Sequence, residues 1–260
     1  GCMNLKYFTF HTKLKGIGGC AFNNTSLSEI NLPRGLRTIG PSAFNTVGTS
    51  KGFASCAGQS DMYEIHIPPT VQDIGAAAFP NASYIYMPKK VMENMSWSGI
   101  AKIGLSGGNL CICHSCNTWK LEIEGIPTII MPKMLAEIPS AARAICRLVE
   151  SNDNRMPPAM YPYSKDAIAR SAAIEQRKMY PDTKTKAYIT RNAALFLSDA
   201  LSNESNWNQV IIGFIRDGVF TDTALRKILK KLDEEEYKDV TVLRSYILDK
   251  IDKKSSTFKL

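Results

Sequence analysis

The sequence predicts an α+β chain, with an N-terminal β-solenoid of about five to six irregular repeats followed by an α-helical C-terminal domain. Three observations carry that expectation. One hexapeptide recurs in the first third of the chain, a tetrapeptide recurs in register with it, and apolar residues turn to helical spacing in the C-terminal third.

The hexapeptide is Ile-Gly-x-x-Ala-Phe. It occurs as Ile39-Gly40-Pro41-Ser42-Ala43-Phe44 and Ile74-Gly75-Ala76-Ala77-Ala78-Phe79, and as Ile17-Gly18-Gly19-Cys20-Ala21-Phe22. The second element, Ile-x-apolar-Pro, recurs as Ile30-Asn31-Leu32-Pro33, Ile65-His66-Ile67-Pro68 and Ile85-Tyr86-Met87-Pro88. Ile39 follows Pro33, and Ile74 follows Pro68, by the same six residues. Phe8-Thr9-Phe10-His11 fills the same strand slot six residues before Ile17. Downstream, Ile129-Ile130-Met131-Pro132 precedes Ile138-Pro139-Ser140-Ala141-Ala142 at the same distance, and a degenerate unit is expected between Pro88 and Pro132 with Leu110-Cys111-Ile112-Cys113 as its strand.

Each unit has a physical reading. Ile-x-Leu alternates at period 2, which turns Ile30 and Leu32 inward and Glu29 and Asn31 outward. Pro33 removes a ladder donor and ends the strand. Gly40 and Gly75 suit a tight turn, the alanine allows close backbone approach, and the phenylalanine is a large plug. One unit cannot bury its Ile, Leu and Phe alone, so neighbours must stack. The solenoid is expected over residues 1–150, with an insertion at about 45–61 and degenerate repeats at about 92–146.

The run Leu27-x-x-Ile30-x-Leu32-Pro33-x-x-Leu36-x-x-Ile39-Gly40-x-x-Ala43-Phe44 resembles the BspA-like leucine-rich repeat family. Gly1-Cys2-Met3-Asn4-Leu5-Lys6-Tyr7-Phe8 is similar to that family's lead-in to a strand. The resemblance covers residues 1–91 and extends faintly to 146. It implies curved solenoids that bind other macromolecules, often as surface or adhesion proteins of bacteria and some protists, and it carries no catalytic residues.

Residues 151–164, rich in Asn, Pro and Ser, read as a linker, and 165–260 as the helical domain. Helices are expected near 165–178 and near 184–201. A third holds Trp207, Val210, Ile211, Phe214 and Ile215 and stops before a C-capping Gly218. A fourth is capped by Thr221 or Thr223, with Leu225, Ile228, Leu229 and Leu232 inside. The last holds Val240, Leu243, Tyr246, Ile247 and Ile251. Short antiparallel helices of this kind form a bundle.

Composition bounds the function. Of 260 residues, 44% are hydrophobic and 22% charged, as in an ordinary globular protein. No apolar run spans a bilayer, so membrane insertion is not expected. The net charge of +8 is spread, with ten Lys/Arg against five Asp/Glu in 1–120, eight against eight in 121–182, and fourteen against eleven in 183–260. The densest run, Arg226-Lys227-Ile228-Leu229-Lys230-Lys231, is followed at once by Asp233-Glu234-Glu235-Glu236, so it reads as a solvated helix face and nucleic acid is not an expected partner. No signal-like start is read in the sequence as given, and from its opening on Gly1 a processed or truncated product is expected. The cell surface is expected if an upstream signal was removed, and the cytoplasm otherwise.

No enzymatic activity and no cofactor are expected. The expected role is a protein-interaction, scaffold or adhesion-type module for a macromolecular partner. If the inward residues of each strand face the core, Tyr7 and Thr9, Glu29 and Asn31, Glu64 and His66, and Tyr84 and Tyr86 form an outward ladder, the candidate binding face. The rival reading uses Cys111, Cys113, His114 and Cys116 as zinc ligands, or Cys113 and Cys116 as a redox pair. The right ligand types are present, but no second ligand pair and no thioredoxin-like context accompany them. Seven cysteines at irregular spacing argue against a disulfide framework. In a third reading the helical tail binds the partner, with Trp207 and Tyr246 as its test residues, and the repeats act as a spacer.

Overall fold

The computed structural model describes residues 2–45, 63–106, 114–151, 156–202, 207–234 and 240–257. The chain divides into two compact units, residues 1–175 and 176–260. The division falls inside the first helix expected of the helical part. The expected insertion at 45–61 and the expected strand at 110–113 lie almost wholly outside the described residues.

In unit 1 the hexapeptides build a small parallel sheet. Strands β1 (Gly16–Ile17), β2 (Thr38–Ile39) and β4 (Asp73–Ile74) align Ile17, Ile39 and Ile74 in register, all buried. The loops that follow stack by a repeating backbone ladder. Phe22 N donates to Ala43 O at 2.8 Å, Phe44 N to Ala78 O at 2.9 Å, and Phe79 N to Ile103 O at 3.0 Å. That spacing carries the phenylalanines into a column: Phe22 on Phe44 at 5.3 Å and Phe44 on Phe79 at 5.2 Å, rings nearly parallel. Phe8 and Phe10 meet Phe22 edge-on at the column's first end. Phe44 and Phe79 are fully buried.

The glycines work differently from the expectation. The left-handed backbone of each turn falls on Cys20, Ser42 and Ala77, with φ of 56°, 53° and 53°. Gly40 and Gly75 are needed for a different reason, because the neighbouring repeat runs against them. A Cβ on Gly40 would sit 2.3 Å from Gly19 N, and one on Gly75 2.2 Å from Pro41 N.

A second sheet, in the order β3-β5-β6-β7, holds β3 (Tyr63–His66), β5 (Ala82–Met87), β6 (Thr118–Ile123) and β7 (Ile129–Pro132). The first three are parallel, and their inward residues Ile65, Ile85, Met87, Trp119, Leu121 and Ile123 are buried. Between β5 and β6 come two short helices, α1 (Lys89–Met92) and α2 (Trp97–Lys102), the second capped by Ser96, whose hydroxyl accepts from Gly99 N at 3.0 Å.

The degenerate repeats expected at 92–146 take another form. The strand that extends the parallel ladder is β6, and β7 returns antiparallel to it. Residues 124–128 are too few for a parallel crossover, and Gly125 at φ 77° lets the chain reverse. The segment from Ile138, expected as a further hexapeptide, is helix α3 (Ile138–Ser151), with Pro139 in its first turn and Ala141, Ala144, Ile145 and Leu148 on one buried face. The fold class is therefore α+β, as expected, but its sheets are small and mixed, and the described strands do not run on as one solenoid sheet.

Unit 2 is helical. Helix α4 (Asp166–Met179) leads into it, followed by α5 (Thr183–Arg191), α6 (Ala193–Ser202), α7 (Trp207–Arg216), α8 (Asp222–Glu234) and α9 (Thr241–Thr257). The single helix expected near 184–201 is broken at Asn192, whose amide and side-chain Nδ2 both turn back to Tyr188 O. Gly218 closes α7 at φ 63°, with Val219 N donating to Phe214 O at 2.9 Å, and Thr221 caps α8 by accepting from Ala224 N at 3.2 Å. Phe196, Phe214 and Phe220 meet edge-to-face in its core, with Leu197, Ile211, Ile215, Leu225 and Ile228 around them.

Candidate functional site

Alternation along β3, β5 and β6 sets six side chains on the outer face of the second sheet. Glu64 registers with Tyr84, and Tyr84 with Lys120; His66 registers with Tyr86, and Tyr86 with Glu122. Register survives one irregularity, between Tyr63 and Glu64, where Ser83 is the extra residue. The Tyr84 hydroxyl donates to Glu122 Oε2 at 2.5 Å, a diagonal bond across two strands. Partial burial, that bond and the nearby Glu122 and Glu64 carboxylates all push the Tyr84 phenol above its usual range, so it stays a neutral donor. The His66 ring lies 5.7 Å from the Tyr86 ring and 6.2 Å from that of Tyr84. Glu64, His66 and Lys120 are exposed, while Tyr84, Tyr86 and Glu122 are half-buried. The result is a rigid patch with two phenols and an imidazole at its centre and charges of both signs at its rim.

The inner residues hold this patch. Tyr63 is buried and donates from its hydroxyl to Phe44 O at 3.1 Å, which ties β3 to the phenylalanine column. Just past the end of β7, Lys133 Nζ is buried and donates to Pro80 O at 2.5 Å; burial lowers its pKa to about 7.

Residues 1–91 match the family model described as a BspA type leucine rich repeat region, in six copies. Over those residues the chain is similar to that family. No curated protein and no solved structure shows a match to the chain. The candidate face therefore begins inside the repeat region, at β3 and β5, and continues on β6 beyond it.

The repeat region places the eight expected ladder residues in two groups. Glu64, His66, Tyr84 and Tyr86 lie together in the parallel ladder. Tyr7, Thr9, Glu29 and Asn31 are exposed, but their segments form no assigned strand and none of the four is in the second sheet. Ser26 N still donates to Leu5 O at 3.0 Å and Ser28 N to Lys6 O at 3.1 Å, so the two N-terminal segments run side by side without a regular ladder.

Lys120 and Glu122 were not among the expected face residues. Their signal was present in Trp119-Lys120-Leu121-Glu122-Ile123, which alternates apolar and charged with no repeat motif around it.

For the rival site, Cys111 and Cys113 lie outside the described residues. Cys116 is disulfide-bonded. A disulfide sulfur is no thiolate, so the four-ligand zinc set lacks Cys116 in this structure. Cys2 and Cys20 are free and exposed, and Cys146 is free and half-buried. No group of three metal-ligating side chains is found among the described residues. No helix of the described residues is long and apolar enough to cross a membrane.

Proposed function

We propose that the chain is a non-enzymatic interaction or adhesion-type module that binds a macromolecular partner, a protein above all, through the outer face of β3, β5 and β6. One observation carries the reading: three parallel strands in register bring Glu64, His66, Tyr84, Tyr86, Lys120 and Glu122 onto one face with the aromatic rings at its centre. Central tyrosines with a charged rim are the composition of binding hot spots. The rings are held by backbone register and by the Tyr84–Glu122 bond, so little side-chain freedom is lost on binding. The BspA-type repeat region supports the same reading, because stacked repeats present extended faces to partners.

The test is affinity capture from the native source, followed by a titration of the captured partner. Tyr84→Ala with Tyr86→Ala, shown to be folded by circular dichroism, is expected to weaken binding by about 2 kcal/mol or more, roughly thirtyfold. Full affinity in that variant would remove the sheet face as the site.

A further inference from the structure

We infer that unit 2 carries a second docking site, a pocket between α5, α6 and α8 that takes an acidic peptide with one apolar anchor residue. The pocket has a volume of about 250 Å³. That is below the range of sites for drug-sized ligands and suits a protruding side chain. Its floor is apolar, made by Ala193 and Leu197 of α6 and Ile228 of α8. Its rim is cationic, made by Arg191 at the end of α5 and by Lys227 and Lys231 of α8.

The basic run of α8 explains the rim. Lys227 and Lys231 are four residues apart and so share a helix face with Ile228. Arg191 comes from the last turn of α5, with its Nε on Ala187 O at 3.4 Å. Among the described residues no acidic side chain lines the pocket, and no ion pair joins these three cations. Three like charges around one concavity repel one another, and an anionic occupant relieves that repulsion. A nucleic acid would ask for a stripe of cations along a surface, with aromatic platforms for its bases. Here the cations ring an apolar hole, so the fitting occupant places a hydrophobic side chain in the floor and carboxylates against the rim.

The probe is a short fluorescein-labelled peptide with a central leucine flanked on both sides by glutamates, titrated against the full chain by anisotropy. Saturable binding is expected. It should weaken about tenfold in Lys227→Glu with Lys231→Glu, about tenfold when the peptide's leucine becomes serine, and comparably when salt rises from about 0.05 to about 0.5 M. Arg191→Glu is a second, independent variant should the double one lose its fold. The Tyr84→Ala, Tyr86→Ala chain should bind the peptide as well as the original, which separates this site from the sheet face. Absence of saturable binding, equal binding of a lysine-flanked peptide, or full affinity in folded charge-reversal variants would overturn the inference. Tighter competition by single-stranded DNA or by decanoate would also overturn it, and would reassign the pocket to phosphate or to a lipid-like carboxylate.

Discussion

Gly75→Ala tests the stacking of repeats more sharply than any core truncation. The added Cβ would lie 2.2 Å from Pro41 N, 2.6 Å from Pro41 Cα and 2.7 Å from the Gly40 carbonyl carbon. All three neighbours are backbone, and ordinary contact needs about 3.5 Å, so the two repeats must part by about 1 Å. That shift strains Gly75 N on Ile39 O, now 2.7 Å, and Ser42 N on Ala76 O, now 3.0 Å. Overpacking costs about 1–3 kcal/mol and each of the two weakened bonds about 1 kcal/mol, giving about 3–5 kcal/mol in all. In a unit of this size the melting transition should fall by about 6–20 °C, read by circular dichroism or calorimetry. A loss below about 1 kcal/mol would show that the repeats do not pack against one another at Gly75.

Ala77→Gly, two residues away, should have the opposite character: relief of its positive φ offsets the entropy of glycine, so stability stays level or rises by up to about 1 kcal/mol, and a clear loss would contradict the turn geometry. Phe44→Ala removes the middle of the ring column and should cost about 3–5 kcal/mol by denaturant unfolding; an unchanged midpoint would place Phe44 outside the core. Lys133 has a folded-state pKa of about 7 against 10.5 for the ordinary side chain, so below pH 7 the fold carries the full cost of a buried charge. Between pH 7 and 10.5 the unfolded chain binds more protons than the folded one, and stability should rise with pH by up to about 5 kcal/mol. Lys133→Met should be more stable than the parent near pH 6 and should lose that slope; an unaltered pH profile would show that Lys133 titrates normally.

Much of this fold was legible in the residues. The hexapeptide's Ile39, Ile74, Phe44 and Phe79 read as core from their spacing and are buried; Gly218 reads as a helix cap from its chemistry, and of the two candidate caps Thr221 and Thr223 it is Thr221 that caps α8. The glycine role was not legible, because the atoms that forbid a Cβ at Gly75 belong to the preceding repeat and a single unit contains no trace of them. Nor was the direction of β7: its apolar letters fit a repeat strand, and the reversal depends on a short connection with Gly125 in a left-handed turn. For the candidate face, alternation alone found Glu64, His66, Tyr84 and Tyr86. The rest of the patch, Lys120 and Glu122, comes from a strand whose pattern is plain but whose partner is set by tertiary pairing. At Glu29 and Asn31 the alternation holds around buried Ile30, whereas at Tyr7 and Thr9 the intervening Phe8 is itself 47% exposed, and neither segment has a ladder to align an outward set.

The most direct test of the sheet face as the binding site is hydroxyl-radical footprinting of the chain with and without its captured partner. Tyr84, Tyr86 and His66 are expected to lose reactivity in the complex, since all three rings stand on the outer face of β3 and β5. Unchanged reactivity at those rings, with protection confined to residues 176–260, would contradict it and move the binding site to the helical unit.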